Sequence, residues 1–160
     1  MPRRTALIVE VPEAEPAVGE LRLQHDRSAA LGVPAHITIL FPFADAAAVD
    51  EDALAQLFGR FPAFDFTLDR VERFDTGIVW LHPEPSFRFV DLTAAIAERW
   101  LEHPPYEGEF DEPIPHLTVS ETPIDFQPAL PIAARAHEVT LIEEDESTGR
   151  WSRRRSFPLG

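Results

Sequence analysis

The sequence predicts an α+β fold, with residues 1–160 forming one domain. Three observations support this fold class. Short apolar runs typical of strands intermingle with amphipathic stretches typical of helices. Turn residues separate two pairs of these strands, which indicates antiparallel hairpins rather than a doubly wound parallel sheet. Each half of the chain also repeats the coarse order of strand, helix and strand.

The first half of the chain reads as strand, helix, strand, helix and strand. The apolar run 5–11 is a buried strand, and prolines open the helical stretch that follows to about residue 30. A second apolar strand covers 36–41 and ends at a proline. An aspartate can cap a helix over 50–59. Alternation of Phe or Leu with polar residues predicts a half-buried strand over 64–69.

The second half continues with a hairpin, a long helix, a loop and a final hairpin. An Asp-Thr-Gly turn returns the chain into a strand over 78–82. Apolar residues at helical spacing predict an amphipathic helix over 89–100. A Pro- and acid-rich loop over 103–115 follows, either as a lid or cleft wall or as an ordinary solvated connection. The tail, 138–157, is predicted to be a hairpin with a Ser-Thr-Gly turn.

One tetrapeptide pattern occurs twice and carries the functional prediction. His36-Ile37-Thr38-Ile39 and His116-Leu117-Thr118-Val119 both read His, apolar, Thr, apolar, half a chain length apart. Because side chains alternate along a strand, the His and Thr of each motif share one face and the apolar residues face the core. Each motif therefore presents an imidazole beside a hydroxyl on a rigid element.

Two such pairs suit general acid–base cleavage of a phosphodiester. One neutral imidazole removes a proton, and the other, as imidazolium, protonates the leaving oxygen. Thr38 and Thr118 can donate hydrogen bonds to phosphate oxygens where charge builds. The alternatives are two unrelated strand histidines with packing threonines, and a two-His metal site that a distant carboxylate would complete. With no HExxH helix and no cysteine, we expect neither a metal nor a cofactor.

Composition narrows the class of protein and of partner. Hydrophobic residues make up 44% of the chain, which indicates a globular protein. Cysteine is absent, which excludes disulfides and agrees with the expected cytoplasmic location. The apolar run near the N-terminus is too short for a signal peptide, and no stretch approaches the length of a membrane span. All basic residues are Arg and the net charge is −14, which disfavours a long nucleic acid as partner.

Several further residues are candidate substrate contacts. Ser120 continues the face of His116 and Thr118 and can add a donor. Aromatic residues are more often part of a core, but four of them can also stack on a base or close the cleft: Phe43, Tyr106, Phe110 and Trp151. The remaining histidines lack a Thr partner and are expected to be ordinary surface or packing residues: His25, His82, His103 and His137.

The C-terminal strand carries the densest basic cluster, which consists of Arg150, Arg153, Arg154 and Arg155. These side chains can contact phosphate or sugar, or pair with Glu143, Glu144 and Asp145 across the hairpin. In a regular strand Trp151, Arg153 and Arg155 share one face, and Arg150 and Arg154 share the other. Both sets cannot reach one site. Arg150 and Arg154 are retained as candidate contacts.

These residues carry a family resemblance. The chain resembles the 2H phosphoesterase superfamily, in the branch called 2′-5′ RNA ligase-like or cyclic phosphodiesterase-like, whose signature is two H-x-T/S-x motifs. The segments GVPAHITILFPF, PIPHLTVSE and GRWSRRRSFPLG agree with it. The resemblance implies a bilobal fold of two antiparallel sheets related by a pseudo-two-fold axis, with helices outside and a central groove. It implies His36 and His116 as the catalytic pair, with Thr38 and Thr118 binding phosphate.

The resemblance also implies an activity. Family members act on 2′,3′-cyclic phosphates, on cyclic phosphates derived from ADP-ribose, on 2′-5′ linkages or on RNA ends. We expect a metal-independent phosphoesterase, monomeric, that hydrolyses a cyclic or 2′-5′-linked phosphodiester in a small nucleotide or short oligonucleotide, with no membrane partner. The alternatives are RNA-end processing or 2′-5′ RNA ligase activity, and a non-catalytic nucleotide-binding module. The acidic charge weighs against large RNA substrates.

Overall fold

Strands and helices intermingle along the whole chain in the computed structural model, which describes residues 3–103 and 113–160. Two short 3-10 turns, Pro12–Ala14 and Ala46–Ala48, accompany the regular elements. In chain order the elements are β1 (Thr5–Glu10), α1 (Glu15–His25), α2 (Arg27–Ala30), β2 (His36–Leu40), α3 (Glu51–Phe58), β3 (Phe64–Arg73), β4 (Val79–Glu84), α4 (Phe87–Arg99), β5 (Leu117–Ser120), β6 (Ile132–Ala136), β7 (Glu138–Glu144) and β8 (Trp151–Pro158).

The strands form two four-stranded antiparallel sheets, which confirms the predicted α+β class. Sheet A has the strand order β2-β1-β7-β8, and sheet B has the order β5-β4-β3-β6. Sheet B is built from one continuous part of the chain. Sheet A combines the first two strands with the last two, so its halves come from opposite ends of the sequence.

The two motif strands occupy corresponding places in the two sheets. β2 is an edge strand of sheet A, β5 is an edge strand of sheet B, and these two edges contact each other. The unit β1-α1-β2 repeats as β4-α4-β5, as the coarse repeat in the sequence suggested. Each helix packs on the motif strand of the other unit: α1 on β5 and α4 on β2. The helices therefore tie the two sheets together beside both motifs.

Local sequence signals account for most of the elements. The Asp50 carboxylate accepts a hydrogen bond from the Ala53 amide at 3.1 Å, which caps α3 as predicted. In α4 the side chains of Phe89, Leu92 and Ile96 are buried at helical spacing. In β3 every second side chain from Phe64 to Leu68 enters the core. Gly77, with a φ of 97°, forms the turn between β3 and β4. A φ in this range favours glycine because it has no Cβ.

Two features differ from the sequence-based expectation. The helical stretch near the N-terminus is divided, because Asp26 adopts an extended backbone between α1 and α2 and caps α2 through Ser28. The strand β6 was not predicted, since its alanines give no clear alternation. Most of the loop over 103–115, expected to be either a lid or cleft wall or an ordinary solvated connection, lies outside the described residues. Within the described ranges, no helix is both long enough and apolar enough to cross a membrane.

Candidate active site

The alternation predicted for the two motifs is present in the structure. In β2 the side chains of Ile37 and Ile39 are buried in the core, while His36 and Thr38 are half-buried on the opposite face. The second motif repeats this arrangement around β5. The faces of sheets A and B that carry the motif His and Thr are called site faces below. The packing of β2 against β5 places the edges of the two site faces side by side.

Both motif histidines are held by the same type of hydrogen bond. His36 Nδ1 lies 2.8 Å from the Pro34 carbonyl oxygen, and His116 Nδ1 lies 2.6 Å from the Ile114 carbonyl oxygen. A carbonyl can only accept, so Nδ1 carries the proton in each ring. In the neutral imidazole this leaves Nε2 with a lone pair, ready to take a proton. The backbone two residues before each histidine therefore fixes both the ring and its tautomer.

Burial disfavours the charged form of both motif imidazoles. Burial lowers the pKa of His36 to about 4, and the charges of Arg22 and His116 act in the same direction. The Pro34 carbonyl and the Asp26 carboxylate partly oppose that shift. Burial also lowers the pKa of His116, opposed by the Ile114 carbonyl. When His116 is protonated, its positive charge disfavours a second positive charge on His36.

Two aromatic side chains that the sequence reading missed surround His116. The Phe74 ring lies edge-on to the imidazole with centroids 5.0 Å apart, and the Trp80 ring lies 5.8 Å away. Phe74 and Trp80 stack on each other at 4.8 Å. Trp80 pairs across the strands with Thr118, so it belongs to the site face of sheet B. Only the order of the strands could have shown this, because Trp80 is distant from the motif in sequence.

His82, expected to be an ordinary residue, lies on the same face. It follows Trp80 by two positions on β4, and its Nδ1 is 2.8 Å from an Asp69 carboxylate oxygen. Potential ligand atoms of Asp69, His82 and Glu84 lie within 4.8 Å of one another. Within the described residues, this is the group with the geometry to hold a metal ion, and neither His36 nor His116 belongs to it.

A pocket of about 300 Å³ lies on the site face of sheet A. Its lining includes Pro34, whose carbonyl holds His36, but none of the four motif His and Thr residues. Glu10, the cross-strand partner of His36, lies in its wall and forms an ion pair with Arg153, with Nε 2.8 Å from Oε2. This ion pair lowers the pKa of the Glu10 carboxyl. Trp151, a predicted base contact, also lines the pocket. The full lining is Glu10, Gly32, Val33, Pro34, Ile142, Trp151, Ser152 and Arg153.

The arginine cluster is divided by an irregularity in β8. Arg153 and Arg155 pair with adjacent residues of β7, which leaves Arg154 as the extra residue of a bulge. As a result both Arg154 and Arg155 turn to Glu51 of α3, at 2.8 and 3.5 Å. Arg153 alone of these three faces the pocket. The alternation expected of a regular strand is therefore wrong beyond Arg153.

The structure does not bring the remaining candidates to the motifs. Arg150 donates to the Ala30 carbonyl at 3.2 Å, and Arg154 also donates to the Ala46 carbonyl at 2.5 Å. Ser120 is 0% exposed, and its hydroxyl donates to the Thr122 carbonyl in the turn after β5. Phe43 is 5% exposed and packs against Trp100 in the core. Tyr106 and Phe110 lie outside the described residues.

The motif threonines are available to a ligand. The buried hydroxyls of Thr5 and Thr93 donate to backbone carbonyls at 2.5 and 2.7 Å. The hydroxyls of Thr38 and Thr118 are half-buried on the site faces, and neither has a partner among the residues that the structure describes. An unpaired hydroxyl beside an imidazole is a suitable donor for an anionic oxygen.

Comparison with known proteins gives a consistent result. A family model described as the 2′-5′ RNA ligase superfamily matches residues 10–148. Solved structures of LigT from E. coli are similar in fold. The complex with NADP+ is 22% identical, with a TM-score of 0.70 over 99% of this chain and 98% of that one. The complex with 3′-AMP is 21% identical, with a TM-score of 0.71 over 99% of both chains.

A more distant structure, TT0787 of Thermus thermophilus, is 18% identical, with a TM-score of 0.60 over 98% of this chain and 97% of that one. At these identities the structural likeness establishes the fold. Comparison with the curated proteins found no match.

Proposed function

Because this chain belongs to the 2′-5′ RNA ligase superfamily, we propose that it is a metal-independent phosphoesterase that hydrolyses a cyclic 2′,3′-type or 2′-5′-linked phosphodiester of a small nucleotide. One observation carries the proposal. Two imidazoles, each anchored through Nδ1 to a carbonyl two residues earlier, lie at contacting edge strands, and each has beside it, on the same face, a threonine hydroxyl with no partner among the described residues. This arrangement supplies an acid, a base and two donors for the transferring phosphate.

The difference between the two imidazoles suggests their roles. His36, with a pKa of about 4, stays neutral and acts as the base: its Nε2 takes a proton from water as the water oxygen bonds to phosphorus. His116 acts as the acid. The negative charge of the bound phosphate favours its imidazolium form, which offsets the burial that lowers its pKa in the free protein. Its Nε2 proton goes to the ribose oxygen as the phosphorus–oxygen bond breaks.

The pocket beside His36 offers a place for the nucleobase. Its volume of about 300 Å³ lies at the small end of the range for ligand sites. Trp151 supplies an aromatic surface, and the Glu10–Arg153 pair supplies acceptors and donors for a base edge. E. coli LigT has been solved with 3′-AMP, with ATP and with NADP+, which supports a small nucleotide as ligand of this fold.

A turnover screen tests the proposal. Purified protein is incubated in EDTA with 2′,3′-cyclic mononucleotides and 2′-5′ dinucleotides, and the position of the product phosphate is assigned. We expect turnover, and we expect His36→Ala and His116→Ala each to reduce it by roughly 10² to 10⁴. The double variant should lose far less than the product of the two single losses, because the pair acts as a unit. His137→Ala, which alters an exposed histidine, is the matched control.

Different results would point to different alternatives. Near-wild-type turnover by either single variant would contradict the two-histidine mechanism. Nucleotide binding without turnover of any substrate would favour a non-catalytic binding module. Sealing of RNA ends in place of hydrolysis would favour the ligase activity. Loss of activity in EDTA that one divalent metal restores would contradict metal independence and direct attention to Asp69, His82 and Glu84.

A further inference from the structure

A buried ion pair near His36 has no part in the chemistry proposed above. Arg22 and Asp26 are 2% and 5% exposed, and the guanidinium Nη2 lies 3.1 Å from the carboxylate Oδ2. They are the fully buried charged side chains of the described residues. Removing two charges from water offsets much of their attraction, so a buried pair adds little stability by itself. The role of the pair is therefore sought in the backbone groups that it binds.

The pair holds the segment that leads into the first motif. Arg22 Nη1 donates to the Val33 carbonyl at 3.1 Å. Asp26 accepts from the amide and the hydroxyl of Ser28 at 3.1 and 2.9 Å, and the Ser28 carbonyl accepts from the Val33 amide at 2.9 Å. Val33 is thus fixed at both its amide and its carbonyl. The next residue, Pro34, provides the carbonyl that orients the imidazole of His36.

The helix that carries Arg22 also contacts the second motif strand. The His25 carbonyl, at the end of α1, accepts from the Glu121 amide at 2.8 Å, one residue after β5. The Glu121 carboxylate in turn accepts from the Arg27 amide at 3.3 Å. At the other end of α1, the Glu15 carboxylate accepts from the Ala35 amide at 2.6 Å. One helix is therefore bonded to the entrance of β2 and to the exit of β5.

We propose that Arg22 and Asp26 are positioning residues, which fix the Pro34 carbonyl and thereby the imidazole of His36 relative to the second motif. Neither side chain is required to touch the substrate. Because the two charges are opposite, together they add little net field at the imidazole, whereas either one alone would act on it strongly. The proposal rests on the catalytic role given to His36, but its first test needs no substrate.

The charges around His36 give the test its direction. The groups that face it are Arg22 and Asp26 from α1 and its end, Glu10 from β1 and His116 from the second motif. Arg22→Gln leaves the Asp26 carboxylate unopposed, so the pKa of His36 should rise. Asp26→Asn leaves the guanidinium unopposed, so this pKa should fall. We expect the pKa of His36 to change by about one pH unit in each variant, in opposite directions.

Two measurements then decide the proposal. NMR titration follows the His36 ring in the free protein, and steady-state kinetics separates kcat from KM. Arg22→Gln should lower kcat by roughly 10 to 10², the cost of a misplaced reacting group, with KM nearly unchanged. Arg22→Lys should restore most of the loss. Arg135→Gln, which removes the arginine of an exposed pair with Asp65 on sheet B, is the matched control.

The double variant Arg22→Gln/Asp26→Asn covers the case in which a single variant fails to fold. It leaves no buried charge, so the pKa of His36 should return close to the wild-type value while kcat stays low. Shifts of this pKa in the same direction in both single variants, or a folded double variant with wild-type kcat, would overturn the proposal. If the pKa shifts occur as expected but wild-type protein cleaves no cyclic or 2′-5′-linked nucleotide, the proposed function is wrong, whereas the interaction of the Arg22–Asp26 pair with His36 is upheld.

Discussion

At the scale of single residues, the repeated motif predicted the candidate residues His36, Thr38, His116 and Thr118. Alternation further predicted that the His and Thr of each motif share a face, because side chains at positions i and i+2 do so in a strand. The residues that set their properties could not be found in this way. The carbonyls that anchor the imidazoles depend on the backbone path before each strand, and Trp80 reaches its place only through the pairing of β4 with β5.

The threonine hydroxyls give a prediction at the same scale. Thr38→Val and Thr118→Val keep the shape of the side chain but remove the donor, so each should lower kcat by about 10² or somewhat more. Thr38→Ser and Thr118→Ser should keep most of the activity. Thermal unfolding should change little, because these hydroxyls have no partner within the described residues. Full activity in both valine variants would show that the threonines serve only to pack the strands.

At the scale of elements, the regular helices and most strands were predictable and the irregularities were not. Arg153, Arg154 and Arg155 are consecutive in β8, so the sequence alone does not show which of them reaches the site face. The bulge at Arg154 decides this. The break between α1 and α2 at Asp26 was likewise hidden within a continuous helical pattern. Such features depend on tertiary partners, Glu51 in the first case and the Arg22 guanidinium in the second.

The turn of the β3–β4 hairpin carries a prediction about pH dependence. Phe74 packs on His116, and burial is what lowers the pKa of this imidazole. Phe74→Ala admits water and should raise that pKa toward its ordinary value near 6.5. The limb of the pH–rate profile that belongs to His116 should move to higher pH by the same amount. Phe61→Ala, which removes a half-buried ring from the main core, should leave the pKa of His116 and the pH–rate profile unchanged.

NMR titration of His116 in the two phenylalanine variants, run beside kcat/KM profiles, makes the comparison. A pKa that stays fixed or falls in Phe74→Ala would show that the aromatic pair does not control the imidazole. Equal shifts in Phe74→Ala and Phe61→Ala would attribute the effect to general loosening of the fold.

At the scale of the whole molecule, the net charge leads us to expect a small substrate. The net charge is −14, and Arg153, the arginine of the β8 cluster that faces the pocket, is already paired with the Glu10 carboxylate. A protein that neutralises six to ten phosphates loses about 10³ to 10⁵ in affinity between roughly 50 and 200 mM salt. We expect a log–log salt slope of magnitude about two or less for this protein. Cyclic mononucleotides should be hydrolysed as efficiently as longer RNA.

This expectation is checked by measuring binding at increasing salt concentrations for a series of substrates of increasing length. An uncharged nucleoside is the control for effects of salt on the pocket that Trp151 lines. Tight binding of tRNA-sized RNA with a steep salt dependence would contradict it. That result would move the function toward RNA-end processing.

The fold class was predictable from the mixture of periodicities, and the two-sheet arrangement followed from the family resemblance. The assignment of the last two strands to sheet A was not predictable. Nothing in the local pattern of β7 or β8 shows that these strands join β1 rather than β6, although β6 precedes β7 directly. That choice depends on long-range burial, where Val139 and Leu141 meet the apolar residues of β1.

This split of sheet A has a consequence for how the protein is made. As the chain leaves the ribosome, all strands of sheet B are available once residue 136 has emerged, whereas sheet A still lacks half of its strands. β1 and β2 must wait for β7 and β8, and such distant pairings close slowly. Because one motif histidine lies at an edge strand of each sheet, a nascent chain is expected to gain activity only after its last hairpin has left the ribosome, although both motifs emerge before that hairpin.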